Sequence, residues 1–116
     1  MTNRDLLILV HTTCADQKEA ETLARDLVEA HLAACASVGQ PLVSVYPWQG
    51  RIERDVETPL TLKTTRRAFE ALRARLVECH SYDVPEVLAV EVVDGNAEYL
   101  QWARDWVAGR NNKPQQ

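Results

Sequence analysis

Apolar and polar positions follow two different periods along the first third of the chain. Residues 6–10 form an uninterrupted apolar run, which is typical of a buried central strand. Apolar residues then recur at helical spacing from about residue 17 to residue 33, which predicts an amphipathic helix. Asp16 and Glu19 have the spacing of an N-terminal capping pair, so we expect the helix to begin directly after Asp16.

The middle of the chain favours strands. Residues 36–38 and 42–46 are predicted to be short strands. Residues 52–65 alternate between apolar and polar side chains, which predicts a long, half-buried antiparallel strand. Pro59 lies inside this strand and lacks the N–H group that a strand ladder uses, so we expect a bulge or a change of pairing partner there.

The remaining elements complete a recognisable order. Helical spacing returns over residues 66–79, a strand is predicted at 87–93, and a further helix at 97–108. The order is βαββαβ plus a C-terminal helix, which predicts an α+β, ferredoxin-like sandwich of one antiparallel sheet with helices on one face. We expect a single domain over residues 1–109 and a disordered tail at 110–116.

The first strand also bears on assembly. If the helices cover one face of the sheet, the other face has no helix of its own. Because residues 6–10 are apolar on both faces, the second face is also expected to be dry. The pattern therefore predicts a homo-oligomer in which a partner chain covers that face.

Length and charge narrow the class of protein. The chain has 116 residues, with 13 Lys or Arg against 17 Asp or Glu, for a formal net charge of −4. This balance lacks the basic footprint of a nucleic-acid or membrane-surface binder, so neither is expected as a partner. The apolar run at residues 6–10 is far shorter than the ~20 residues of a membrane helix, and too short for a secretory signal. We therefore predict a cytoplasmic protein.

The cysteines and the catalytic motifs point away from an enzyme. Cys14, Cys35 and Cys79 are odd in number and form no C-x-x-C pair, so free thiols are expected. No phosphate-binding glycine loop, nucleophile elbow or zinc-protease motif occurs. We predict no enzymatic activity. The catalytic alternative is an enzyme that uses Cys14 or Cys79 as a nucleophile beside a histidine.

Several short segments give the chain a resemblance to a known family. They are residues 32–36 (LAACA), 46–53 (YPWQGRIE), 62–65 (LKTT), 82–87 (YDVPEV) and 99–102 (YLQW). In this order and spacing they resemble the CutA family, the divalent-cation tolerance proteins, over about residues 6–107.

The resemblance implies more than the composition shows. It implies a ferredoxin-like fold, a tight homotrimer in which long hairpins extend the sheets across subunits, and a role in tolerance of copper and other divalent metal ions. No enzymatic activity defines the family and no cofactor is required, although copper or another divalent ion is an implied ligand. The alternative is a trimeric signalling or small-ligand-binding module with a cleft between subunits.

Cys79 and His80 are the candidate metal ligands. The resemblance implies a metal site at this loop, where copper-associated relatives carry two histidines, together with a cysteine of the first strand. A thiolate and an imidazole suit copper or zinc. Thr12 takes the place of the first-strand cysteine and is a poor ligand, so a third ligand would come from Cys14 or a neighbouring subunit. A purely structural role at the helix end is the alternative.

A cleft between subunits is the second candidate site. The motifs that resemble the family suggest that this cleft is formed by Tyr46, Trp48, Lys63, Tyr82 and Glu86. Such a cleft would bind an anion, a cation or another small ligand. Aromatic side chains are also what a tight protein interface uses. Trp48, beside the glycine turn, is therefore expected to anchor the subunit interface.

Overall fold

The structure is a computed structural model, and it describes residues 2–110. After a short 3-10 helix at Asn3–Asp5, its elements are β1 (Leu7–Cys14), α1 (Gln17–Glu29), β2 (Cys35–Val38), β3 (Leu42–Trp48), β4 (Arg51–Thr65), α2 (Phe69–Cys79), β5 (Leu88–Glu91) and α3 (Ala97–Val107). The tail predicted at residues 110–116 lies, except for its first residue, outside the described residues. Arg110 donates a hydrogen bond of 3.0 Å to the Asp105 carboxylate.

One antiparallel sheet organises the fold. Its strands lie in the order β2, β4, β1, β5, and β3 pairs with the first half of β4. The connection through α1 joins β1 to β2 across β4, and the connection through α2 joins β4 to β5 across β1. Each helical crossover therefore skips one strand, which is the split βαβ arrangement of a ferredoxin-like fold. The predicted fold class is confirmed.

β4 changes its pairing partner at Pro59, as the sequence predicts. It pairs with β3 as far as Glu57 and with β2 from Leu60 onward. Between these two stretches the Gly39 N–H donates to the Pro59 carbonyl at 2.9 Å. A Cβ atom on Gly39 would lie 2.8 Å from Pro59 Cγ, so only glycine allows this approach. As a result β3 and the start of β4 form a two-stranded hairpin beyond the four-stranded part of the sheet.

Several predicted boundaries were wrong: α2 begins at Phe69 and not at residue 66, β3 continues to Trp48, and β5 spans Leu88–Glu91 and not residues 87–93. Two further differences bear on the candidate sites. α1 ends at Glu29 rather than near residue 33, because His31 takes a left-handed φ of 60° and the next two backbone N–H groups turn back to the Leu27 carbonyl. β1 continues past residue 10 to Cys14, because β4 offers a pairing partner to every residue as far as Thr58. The longer strand brings Cys14 to the start of α1.

The main core lies between one face of the sheet and the helices α1 and α2. Leu60 and Leu62 are fully buried there, so this side of β4 faces the helices. The apolar cluster comprises Ile8, Val10, Cys14, Ala20, Leu23, Leu27, Ala33, Leu60, Leu62, Leu72 and Leu76.

The other face of the sheet is partly covered by α3, which corrects the sequence-based argument for assembly. Leu7, Ala34 and Ala103 form a second buried cluster, against which apolar residues of α3 pack. The Trp106 indole N–H donates to the Val28 carbonyl at 3.0 Å and ties α3 to α1. Because the C-terminal helix folds back over β1, a partner chain is not needed to cover this part of the sheet. The apolar first strand alone therefore no longer predicts an oligomer.

Candidate ligand cleft and metal-ligating cluster

A cleft of about 1100 Å³ lies between the β3–β4 hairpin and the loop that precedes β5. Four of the five residues predicted for a ligand cleft line it: Tyr46 and Trp48 from β3, and Tyr82 and Glu86 from the loop. Tyr46 and Trp48 lie two residues apart on one strand, so their side chains emerge on the same face of the hairpin. The sequence motifs therefore mark residues that meet in space, within a single chain.

Lys63, the fifth predicted residue, is not among the residues that line this cleft. Its Nζ lies 3.9 Å from the Cys35 sulfur and 5.6 Å from the centre of the Tyr99 ring. Lys63 pairs with Cys35 in the β2–β4 ladder, beyond the change of partner at Pro59, so it belongs to the four-stranded part of the sheet and not to the hairpin. Lys63 therefore does not join the other four residues within one chain, and its place in a cleft between subunits stays a prediction.

The cleft is acidic. Among its described lining residues the acidic side chains are Glu53, Asp55, Glu57, Asp83 and Glu86, and the basic one is Arg51. An anion would meet a surplus of like charge in this setting, whereas a cation would meet opposite charge. The cleft of the single chain therefore favours a cationic ligand over the anion that the sequence left open.

Two tyrosine hydroxyls donate to carboxylates of the cleft. The Tyr46 hydroxyl donates to Asp55, and this hydrogen bond raises the pKa of Tyr46 to about 12. The Tyr82 hydroxyl donates to Glu57 at 2.9 Å, and the Thr13 hydroxyl donates to the same carboxylate at 3.2 Å. Burial and the Glu57 hydrogen bond raise the pKa of Tyr82. Both phenols therefore stay protonated at neutral pH and hold the carboxylates in place.

Cys79 and His80, the predicted metal ligands, have different surroundings. Cys79 is exposed at the end of α2, whereas His80 is 8% exposed. His80 Nε2 lies 2.9 Å from the Thr13 carbonyl, and its Nδ1 accepts the Tyr82 N–H at 3.0 Å. A carbonyl can only accept, so Nε2 carries the proton and both ring nitrogens already have partners. His80 would have to release one of these partners to bind a metal.

Next to His80, the structure brings together two residues that the sequence analysis did not pair with it. One candidate ligand atom from each of Cys14, Glu19 and His80 lies within 4.8 Å of the other two. Within residues 2–110 this is the only group of three or more His, Cys, Asp or Glu side chains with such spacing. The sequence could have indicated this proximity if the first predicted strand had been extended to residue 14. Cys14 would then lie on the same core-facing side of the strand as Val10 and shortly before α1.

Hydrogen bonding and burial give the Cys14, Glu19 and His80 group a structural character. The Glu19 carboxylate accepts the Ala15 N–H at 2.9 Å and the Ser81 N–H at 2.7 Å. Burial raises the pKa of Glu19, but these hydrogen bonds outweigh it and the net shift is downward. Burial and the nearby Glu19 carboxylate raise the pKa of Cys14 to about 12. A buried thiol of that pKa is a poor nucleophile and yields its proton reluctantly to a metal.

Comparison with known proteins places this chain in a family. The family described as "CutA1 divalent ion tolerance protein" matches residues 8–106. The chain belongs to the CutA1 family. The divalent-cation tolerance protein CutA of Thermus thermophilus is 42% identical over 97 residues, which cover 84% of this chain and 94% of that protein. Human protein CutA is 41% identical over 92 residues, which cover 79% of this chain but 51% of that protein, so the chain spans about half of the human relative.

Solved structures of CutA proteins share the fold. The crystal structure of CutA from Xylella fastidiosa has a TM-score of 0.85 at 40% identity and covers 87% of this chain and 97% of its own. The CutA1 structure from Thermus thermophilus has a TM-score of 0.84 at 41% identity, with 86% of this chain and 97% of its own covered. The family resemblance and the fold inferred from the sequence are therefore confirmed.

The structure and the relatives leave the compartment as a prediction. Over residues 2–110, no helix has both the length and the apolar character that a membrane crossing requires. Protein CutA of Arabidopsis thaliana, 35% identical over 98 residues, is described as chloroplastic.

Proposed function

We propose that this member of the CutA1 family acts as a homotrimer in tolerance of divalent metal ions, copper among them, and that it does so by weak metal binding without catalysis. The family match over residues 8–106 carries the metal-ion part of this proposal. The burial and high pKa of Cys14 support a role in which this thiol is not a nucleophile, because a substrate could not reach it beside His80. Cytoplasmic location stays a prediction.

The β3–β4 hairpin supports assembly. Val43 pairs with Val56, Val45 with Arg54 and Pro47 with Ile52, so one face of the hairpin is a strip of mostly apolar side chains. These side chains are exposed in the single chain, with Ile52 at 74%. A two-stranded hairpin is marginally stable by itself in water, and an exposed apolar strip is typical of an interface. Other copies of the chain are the proposed cover.

The mass in solution tests the homotrimer. Light scattering at micromolar concentration should give three times the 13.1 kDa of one chain. Trp48→Ala should weaken association by more than ~2 kcal/mol while leaving the circular dichroism of the chain unchanged, because truncating an interface anchor commonly has that effect. Val77→Ala removes a partly exposed apolar side chain from α2 and serves as the matched control. A mass of one chain would refute the proposal.

For the metal site we propose Cys79 and His80 as ligands, with modest affinity. The hydrogen bonds at both His80 nitrogens support modest affinity, because a metal must displace one of them. A thiolate and a neutral imidazole are both required, so binding should weaken as the pH falls. Cys14 and Glu19 are close enough to supply further ligands, although the raised pKa of Cys14 opposes its use.

Calorimetric titration with Cu(I), Cu(II) and Zn(II) tests this ligand set. The Cys79→Ser, His80→Ala double variant should bind copper at least tenfold more weakly than the wild type, since each lost ligand removes a coordination bond. Cys35→Ser removes a thiol from β2 and serves as the control. This variant should bind copper like the wild type. Equal binding by the wild type and the double variant would place any metal elsewhere.

The acidic cleft supports a second candidate function, the binding of a small cation in a trimeric module. The specific observation that favours this function is that Tyr46, Tyr82 and Glu86 line the same cleft. Titration with spermidine probes the cleft, and Glu86→Gln should weaken binding several-fold through loss of one charge. Lys63→Gln is the matched control, because Lys63 lies outside the cleft. No measurable spermidine binding by the wild type would reject this candidate.

A further inference from the structure

Three arginines line a second cavity of about 410 Å³, near the end of α3 and the start of β1. Arg67 follows β4, Arg104 lies in the last turn of α3, and Arg110 follows that helix. Asp5 is the one acidic residue among the described residues that line this cavity. The cavity is therefore basic, although the chain as a whole carries a net charge of −4.

The arginines of this cavity are neutralised to different degrees. Arg110 is paired with the Asp105 carboxylate at 3.0 Å, and the charge of Arg104 also acts on Asp105. Arg67 and Arg104 are paired less closely. The Arg104 guanidinium donates to the neutral Gln101 amide at 3.1 Å, and Arg67 reaches the Asp5 carboxylate at 3.4 Å. By contrast, Arg75 on α2 binds both carboxylate oxygens of Asp26, at 2.9 and 2.7 Å. A guanidinium has five N–H donors, so Arg67 and Arg104 keep donors available for another acceptor.

A buried hydroxyl lines the same cavity. Thr65 is 6% exposed, and its Oγ1 accepts the Ala68 N–H at 3.3 Å. In the described part of the chain no acceptor takes the Thr65 hydroxyl proton, which leaves this O–H as a donor inside the cavity. The hydroxyl oxygen already has a partner in the Ala68 N–H, so what it offers an oxygen ligand is its proton.

We propose that this cavity binds a small multivalent phosphate, with Arg67, Arg104 and Arg110 as its cationic residues and Thr65 as a neutral donor. Guanidinium groups match the oxygens of phosphate in a bidentate geometry, and several of them together favour a multiply charged anion. The volume lies within the range of small-molecule sites. The site shares no lining residue with the acidic cleft.

The Asp5 carboxylate competes with a bound phosphate for the Arg67 guanidinium. Its Oδ2 accepts the Thr2 N–H at 3.0 Å and the Thr2 hydroxyl at 3.1 Å, while its Oδ1 faces Arg67. Phosphate binding must therefore displace Asp5 from Arg67 or act against its charge. Neutralising Asp5 should strengthen binding, a result that a damaged or misfolded variant would not produce.

Titration calorimetry with inorganic pyrophosphate, in chelator-treated low-salt buffer, tests the proposal on the full chain. Arg67→Gln and Arg104→Gln should each weaken binding about tenfold, the effect of losing one charge-assisted hydrogen bond. Asp5→Asn should tighten binding several-fold. Arg25→Gln removes an exposed arginine of α1 that pairs with Glu29, and it should bind like the wild type.

Four titration results would contradict the proposed phosphate site. A pyrophosphate dissociation constant weaker than about 1 mM at low salt would show that no such site exists. Equal losses in Arg25→Gln and Arg67→Gln would show nonspecific attraction to positive charge. Citrate binding as tight as pyrophosphate would refute the assignment to phosphate. Weaker orthophosphate than pyrophosphate binding supports the multivalent assignment, and orthophosphate binding of equal strength contradicts it.

Discussion

Replacing Glu19 by Gln tests whether one carboxylate joins the start of α1 to the loop after α2. The two carboxylate oxygens accept backbone N–H groups from Ala15 and Ser81, at 2.9 and 2.7 Å. Glutamine has the same shape but only one acceptor oxygen. One of the two N–H groups must therefore face the amide NH₂ group, which cannot accept its hydrogen bond.

The magnitude follows from this lost acceptor. Ala15 and Ser81 are both exposed, so water can take the place of the lost acceptor and only the net value of one hydrogen bond is at stake, about 0.5–1.5 kcal/mol. Glu19→Gln should therefore lower the free energy of unfolding by about 1 kcal/mol at neutral pH. Glu21→Gln is the matched control on the same helix. Glu21 is exposed and, among the described residues, accepts only from the Gln17 side chain, so its replacement should change stability by less than about 0.5 kcal/mol.

The stability that Glu19 contributes should depend on pH in a defined direction. The folded state lowers the pKa of Glu19 below its ordinary value of 4.5, so the charged form contributes stability above that value and loses it as the pH falls through the folded-state pKa. The stability difference between wild type and Glu19→Gln should be constant from neutral pH down toward 5, and should shrink below 4.5 as Glu19 becomes neutral.

Urea unfolding, followed by circular dichroism at one fixed protein concentration, measures the difference at each pH. A loss below about 0.5 kcal/mol at neutral pH would refute the inferred role of the carboxylate. A loss that persists unchanged well below pH 4 would show that shape, and not charge, is what the site requires.

Two further predictions concern the core and its thiols. Leu62→Ala should lower the free energy of unfolding by about 2–5 kcal/mol, because the side chain is fully buried between the sheet and two helices; a urea-unfolding loss below ~1 kcal/mol would contradict this packing. Iodoacetamide should label exposed Cys79 well before Cys14, whose pKa is raised to about 12, and peptide mass spectrometry that found equal labelling would argue against the burial of Cys14.

The candidate cleft shows which site residues were predictable and which were not. Tyr46, Trp48, Tyr82 and Glu86 meet because two motifs far apart in the chain come together at the hairpin. Lys63 belongs to an equally recognisable motif but lies beyond Pro59, where β4 has already exchanged β3 for β2. The sequence marks the proline, but only the strand register shows on which side of it each residue falls.

The chain by itself determined the elements, because the period of apolar side chains and the helix caps are local properties. The order of strands and helices, the face of β4 that points to the core and the family membership also follow from the sequence, because each depends on residues that are neighbours in the chain. The tertiary structure alone decided where α3 folds, and that α3 rather than a second chain covers Leu7. It alone decided that Cys14 and Glu19 meet His80, because contacts between residues more than sixty positions apart depend on the assembled sheet and not on any local pattern.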